Sequence, residues 1–226
     1  MNIWLCLPTA NPTLSAKTLP AWREHGCKIA ALVDGDYTPP APVDHLVRVD
    51  KYPGWANADN LLTRIALDLG ADIVVCAGDD HWPDPTHTAG DIGRELMDAA
   101  DDEGLGVLQP SGDLCGVNPK GFGGRHHCSS SWFTSEYVRR INRGNGLFWP
   151  EYRHLYADTE AYEVANMIGC YHDCPQFSQR HDHAQRIGGK GTPGPRQSGK
   201  ANDGGLYRRR KKMRFPGHEL LDGDAT

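Results

Sequence analysis

Short apolar runs separated by amphipathic stretches set the plan of the first half of the chain. Residues 2–7 (Asn-Ile-Trp-Leu-Cys-Leu) read as a buried strand that stops at Pro8. A helical stretch follows over about 14–25, with Pro20 either disturbing it or marking its true start. Residues 28–33 (Lys-Ile-Ala-Ala-Leu-Val) form a second strand-like run, ended by Asp34-Gly35-Asp36. Residues 45–49 suit a short third strand. Over 58–69, Leu61, Leu62, Ile65, Ala66 and Leu69 fall on one helical stripe, and Gly70 is a good stop. Residues 72–77 (Asp-Ile-Val-Val-Cys-Ala) are β-branched, continuous and short, as in a parallel strand covered on both faces. A helix over 87–101 and a strand over 106–109 complete a βαβ alternation. Beyond it, helices are expected at 134–142 and 159–168. The last forty or so residues, rich in Gly, Pro and charge, read as loop and tail.

The chain of 226 residues is long enough for one α/β domain with a real core. The pattern divides it into a domain over 1–185 and a Gly/Pro-rich, basic tail over 186–226. No run of about 18 apolar residues is present, so no membrane-spanning helix is expected. Met1-Asn2-Ile3-Trp4-Leu5 lacks the marks of a signal peptide, which gives an expected cytoplasmic location. The seven cysteines, an odd number, are scattered, and Cys6 and Cys76 fall in strand-like runs. Buried thiols fit that better than a disulfide framework. Net charge is −5, yet residues 207–214 carry six positive charges and no negative one, which leaves −11 for the remainder. Such asymmetry points to a separate task for Arg208–Arg214, with nucleic-acid phosphates one partner and plain solvation the other reading.

Candidate chemistry collects after the 72–77 strand, at the acidic pair Asp79-Asp80. In open α/β sheets ligands bind beyond the carboxyl ends of the strands. Two adjacent carboxylates there suit a hard divalent ion bridging to phosphate oxygens; a polar turn with a capping aspartate is the competing reading.

Residues 70–85 (Gly-Ala-Asp-Ile-Val-Val-Cys-Ala-Gly-Asp-Asp-His-Trp-Pro-Asp-Pro) resemble the DxD region of GT-A glycosyltransferases, particularly the large inverting family two and its phage-encoded relatives. Ala58-Asp59-Asn60 on the preceding helix and Pro83 beyond the acids occupy matching places. The departure is Gly-Asp-Asp where the usual motif reads acid-any-acid. The resemblance implies a GT-A (Rossmann-like), mostly parallel sheet flanked by helices, with a nucleotide-sugar half over 1–110 and an acceptor half over 111–185. It assigns the metal, Mn²⁺ or Mg²⁺, to Asp80, and a sugar or ribose contact to Asp79. Pro8 and Thr9 fall at the nucleotide-contacting end of the first strand. Asp34 falls where an acid reads the base or ribose of the donor, with UDP-sugar favoured; a tight turn is the alternative for Asp34-Gly35. Lys51, Trp55 and Asn60 are further donor contacts, each also readable as a solvated or packed side chain.

In the second half the resemblance implies a catalytic base at Asp158, with Glu160 second; helix capping explains both equally well. His181 or His183 would complete the metal shell. An imidazole there favours Mn²⁺ over Mg²⁺, and the alternation of an extended segment lets one of the two bind, with His181 preferred. A structural zinc on Cys170, Cys174, His181 and His183 is a competing set with unusual His-x-His spacing. The phage relatives imply an acceptor hydroxyl on a hydroxymethylated DNA base, reached through Arg208–Arg214. A sugar-phosphate nucleotidyltransferase is opposed by the first loop, Pro8-Thr9-Ala10-Asn11-Pro12, which has neither Gly nor a basic residue. A nucleic-acid-binding accessory protein is the non-enzymatic alternative.

Overall fold

The computed structural model describes residues 1–111, 127–182 and 202–221. A seven-stranded sheet is built from β1 (Ile3–Pro8), β2 (Lys28–Asp34), β3 (His45–Val49), β4 (Ile73–Cys76), β6 (Val107–Ser111), β7 (Trp132–Thr134) and β8 (Tyr171–Ser178). Its order is β3-β2-β1-β4-β7-β6-β8. All neighbours are parallel except β7, which runs antiparallel to both β4 and β6. A separate two-stranded ribbon pairs β5 (His81–Trp82) with β9 (Arg180–His181).

Alternate residues of each strand feed two cores. Leu5 and Leu7 of β1 pack beneath α1 (Pro12–His25) and α3 (Ala89–Ala99), through Leu19, Trp22, Ile92 and Leu96. Trp4 and Cys6 face the other way, toward α2 (Trp55–Asp68), α4 (Ser135–Arg140), α5 (Ala157–Ile168) and α6 (Asp203–Lys212). Period-two alternation thus makes a three-layer α/β unit. Among the described residues no helix is long and apolar enough to cross a membrane.

Helix α1 starts at Pro12, earlier than the sequence suggested. The Asn11 side chain accepts from the Thr13 and Leu14 amides, and Pro12 at the first helical position already has the required φ. Pro20 lies inside the helix rather than at its start. Its cost, about 3 kcal/mol in a helix interior, is set against burial of the neighbouring Leu19 and Trp22, both 0 % exposed. Helix α2 also begins early, because the Trp55 amide finds a distant acceptor in the Arg153 carbonyl at 2.7 Å.

The largest departure lies in the segment read as tail. Residues 203–212 form α6, and Leu206, Tyr207, Arg210 and Phe215 are buried against the domain. Arg210 makes three contacts of 2.7–3.0 Å with Glu160 of α5. Residues 183–201, and with them His183, lie outside the described residues.

Asp59 of α2 is 0 % exposed, and among the described residues neither carboxyl oxygen has a hydrogen-bond partner. Burial pushes its carboxyl well above the usual range, opposed by the charge of His81. A carboxyl raised in the folded state contributes stability below its unfolded value, about pH 4, and that contribution is lost as pH rises through the folded value. Asp59→Leu, close in size and free of an unmet polar group, is therefore expected to stabilise the protein by about 1–3 kcal/mol at neutral pH. It should also flatten the fall in stability with rising pH. Urea unfolding at pH 5 and pH 8 measures both; a destabilised variant with an unchanged slope would contradict them.

Candidate metal and donor site

The parallel strands β1, β2, β3 and β4 end along one edge at Pro8, Asp34, Val49 and Cys76. Reversed β7 brings a further segment to the same edge. Residues 127–131 pass the end of β4, where the Cys76 amide donates to the Ser131 carbonyl at 3.3 Å. The Cys128 amide in turn donates to the Asp158 carbonyl at 3.0 Å. One reversed strand thereby carries the start of α5 to the Asp79-Asp80 turn.

Asp79 ties that turn to the loop after β1. Its Oδ2 accepts from Thr9 Oγ1 at 3.1 Å, the Ala10 amide at 3.1 Å and the Asn11 amide at 2.9 Å. Thr18 of α1 donates to its carbonyl at 3.0 Å. Burial raises the Asp79 carboxyl, the amides of Asn11 and Ala10 hold it down, and the charge of Asp80 raises it further. One oxygen of Asp79 is thus spent on the loop that carries Pro8 and Thr9. That loop is held against the acidic turn.

Asp80 points the other way, between two imidazoles. Its Oδ1 lies 3.2 Å from His81 Nδ1, and its Oδ2 lies 3.2 Å from His181 Nε2. His81 and His181 are direct cross-strand partners in the β5–β9 ribbon, and their rings stack at 3.8 Å. The Asp182 amide donates to the Asp80 carbonyl at 2.8 Å, which pins the ribbon to the turn. Gly78 leaves the room required: a Cβ there would lie 2.8 Å from Asp80 Oδ1. Burial pushes the Asp80 carboxyl up, but hydrogen bonds and charge from His181 and His81 outweigh it and hold it well below the usual carboxylate range.

The donor set fits a divalent cation. Ligand atoms of Asp80, His81 and His181 all lie within 4.8 Å of one another. Adjacent ligands on an octahedral ion with bonds of about 2.1–2.3 Å stand about 3.0–3.3 Å apart, close to both observed contacts. The Gly78 amide also donates to His81 Nδ1, at 3.0 Å. With one lone pair, a neutral Nδ1 accepts from the Gly78 amide or ligates a cation, but not both, so a bound cation would replace the Gly78 contact at this atom. Two imidazoles with one carboxylate suit Mn²⁺ and its transition-metal neighbours better than Mg²⁺.

A metal preference follows. At a hundred times its dissociation constant, a ligand specific to the folded state stabilises it by about 2.7 kcal/mol. In a chain of this size that is a Tm rise of roughly 5–10 °C. Mn²⁺ is expected to reach that range at sub-millimolar concentration, with Mg²⁺ giving under a third of the shift at equal concentration. His181→Ala should bring Mn²⁺ down to the Mg²⁺ level. Equal shifts with both ions in the wild type would count against imidazole ligation.

Several residues expected in the site have other partners. Asn60 is a clamp: its Nδ2 donates to the Phe148 carbonyl at 2.7 Å and its Oδ1 accepts from the Phe148 amide at 2.8 Å. Both ends of the amide are thus spent on the fold. Trp55 packs on Phe148, with ring centroids 4.6 Å apart. Glu160 is 3 % exposed and held by Arg210 and by the Tyr152 hydroxyl at 2.7 Å, so the structure gives it an ion pair inside the core. Asp158 is half-buried, its Oδ1 accepts from the Thr159 amide at 2.8 Å, and His127 Nδ1 stands 3.7 Å from its Oδ2. Asp34 closes β2 at the carboxyl edge of the sheet, and Lys51 is exposed in the loop after β3. The zinc set is not assembled: Cys170 and Cys174 belong to the cores on opposite faces of the sheet, and among the described residues the only metal-competent cluster excludes both.

His81 is the candidate ligand that sequence reasoning missed. The signal was its place beside Asp80, five residues beyond the end of β4. What hid it was the pairing with a strand one hundred residues away.

Comparison with models of protein families and with curated proteins returns no match, so the fold and the Asp80, His81, His181 cluster carry the functional reading on their own geometry.

Proposed function

We propose that the chain is a metal-dependent glycosyltransferase that moves a sugar from a nucleotide-sugar, with a UDP-sugar the favoured donor, onto an acceptor hydroxyl. The observation that carries this reading is the carboxylate between two imidazoles at the carboxyl edge of a mostly parallel sheet, beside the loop that Asp79 anchors. Asp80, His181 and His81 would hold Mn²⁺ or Mg²⁺, which supplies charge neutralisation on the departing diphosphate. Pro8, Thr9 and Asp34 line the edge where the nucleoside would lie; the Asp34 carboxylate suits a ribose hydroxyl or a base N–H. Asp79 holds the loop and keeps one oxygen for the donor. Asp158 takes the proton from the acceptor hydroxyl, with His127 positioned to steady its carboxylate.

The acceptor side draws on α6. Arg208, Arg209, Lys212 and Arg214 are exposed and have no acidic partner among the described residues, whereas Arg210 is committed to Glu160 and Lys211 to Glu163. Three exposed cations on a docked helix, with Arg214 two residues beyond it, suit a phosphodiester acceptor such as a hydroxymethylated base in DNA. The same cations support the second reading, a nucleic-acid-binding accessory protein. The experiment that separates them is Mn²⁺-dependent hydrolysis across UDP-, GDP- and TDP-sugars. Release of sugar and nucleotide from one of them supports the enzyme. Complete inertness, with DNA binding intact, would leave the accessory reading.

A further inference from the structure

A cleft of ≈ 330 Å³ opens between the loop after β3 and residues 150–153, lined by Lys51, Tyr52, Asn57 and Arg153 among others. No residue of the metal cluster lines it. We propose that this cleft is a phosphate-binding subsite, separate from the metal-held diphosphate, in which Arg153 and Lys51 grip a phosphate group of the acceptor. The phosphate chemistry stands on the cleft alone; its attribution to the acceptor rests on the glycosyltransferase reading.

Charge points to an anion. Lys51 and Arg153 are both exposed, and among the described residues neither has an acidic partner. The one carboxylate in the wall, Glu151, accepts from the Trp149 indole at 3.2 Å. A planar guanidinium binds phosphate oxygens two at a time, and an ammonium adds a point charge.

The walls are also fixed beforehand. The Trp55 amide donates to the Arg153 carbonyl at 2.7 Å, and Asn57 Nδ2 donates to the Pro150 carbonyl at 3.1 Å. Asp203 at the start of α6 receives the amides of Arg153, His154 and Leu155 at 3.3, 2.9 and 2.9 Å. Gly54 allows the closure, since a Cβ would lie 2.4 Å from the Arg153 carbonyl oxygen. Arg153 is thus held by its backbone from both sides while its side chain stays in solvent. Such preorganisation lowers the entropy cost of gripping a ligand.

Position links the cleft to the reaction edge. Tyr52 in its wall feels burial first and then the charges of Asp59, Asp34 and Asp79, which together push its hydroxyl up.

The test is calorimetric titration of pyrophosphate into the whole protein in EDTA at low salt. One-site binding is expected, weakened at least tenfold in Lys51→Ala/Arg153→Ala and unchanged in Asp80→Ala. In Arg208→Ala/Arg209→Ala a loss below threefold is expected. In a second titration without EDTA, with UDP bound and Mn²⁺ kept in excess over pyrophosphate, pyrophosphate should still bind. The proposal is overturned by absent binding, by equal loss in the α6 variant, or by competition with Mn²⁺–UDP. Lys51→Met/Arg153→Gln serves if the alanine pair misfolds. Pyrophosphate binding without any nucleotide-sugar hydrolysis would keep the subsite and sink the glycosyltransferase reading, so the two fail separately.

Discussion

Asp80→Ala is expected to lower Mn²⁺-dependent hydrolysis of the preferred nucleotide-sugar by about a thousandfold or more. A metal that neutralises a leaving diphosphate supplies several kcal/mol to the transition state, and each 1.36 kcal/mol is tenfold in rate. Asp80 contributes the only carboxylate of the cluster, so its loss leaves two neutral imidazoles, a far weaker site for a hard ion. The Mn²⁺-induced rise in Tm should vanish with it. Stability in EDTA should fall as well, because contacts with His81 and His181 hold the Asp80 carboxyl below its ordinary range, so hydrolysis is compared per folded molecule. Asp80→Asn refines the result: it keeps the shape and loses the charge, and should fall nearly as far. The comparison with His81→Ala and His181→Ala then ranks the ligands. A variant lacking Asp80 that still hydrolyses donor in a Mn²⁺-dependent way would remove this cluster from the mechanism.

Much of that site was legible because its elements are local. The β4 strand is a continuous apolar run, and a run of that kind in a doubly covered sheet ends where ligands bind. Asp80 follows directly, and His181 was reachable through resemblance. The second imidazole was not, because β5 and β9 are two residues each and owe their existence to each other. Edge strand β8 was missed for a related reason. Pro175 and exposed Gln176 interrupt its pattern, which an edge position tolerates. Helices α1 and α2 were placed with late starts, since Asn11 capping and the Trp55–Arg153 bond extend them beyond their apolar stripes. Asn60 and Glu160 show the limit of residue type as a guide. An amide or a carboxylate near a ligand edge serves donor or fold equally well until its partners are known, and here Phe148 and Arg210 are those partners.

The docking of α6 shows how far one such partner reaches. The helix is so polar that no periodicity marks it as part of the domain, and its one buried basic side chain, Arg210, joins Leu206 and Tyr207 in holding it there. Arg210 and Glu160 side chains are 5 % and 4 % exposed, in contact at 2.7 Å, with the guanidinium 3.6 Å above the Trp149 ring. Removing one member of such a pair leaves an uncompensated charge in the core, which costs about 3–5 kcal/mol. Arg210→Met is therefore expected to lose about that much in urea unfolding, and Glu160→Gln a comparable amount. Replacing both by Met and Leu should recover most of the loss, since the remaining penalty is the Tyr152 hydroxyl, at about 1–3 kcal/mol for an unmet donor. That non-additivity is the signature of a structural pair. It also decides the older question of Glu160 as base. A base would be lost in kcat at unchanged stability, with no rescue by a change at residue 210. A structural partner is lost in stability, keeps kcat per folded molecule, and is rescued in the double variant. Loss of kcat in Glu160→Gln with wild-type urea unfolding would return Glu160 to the reaction and take the base away from Asp158.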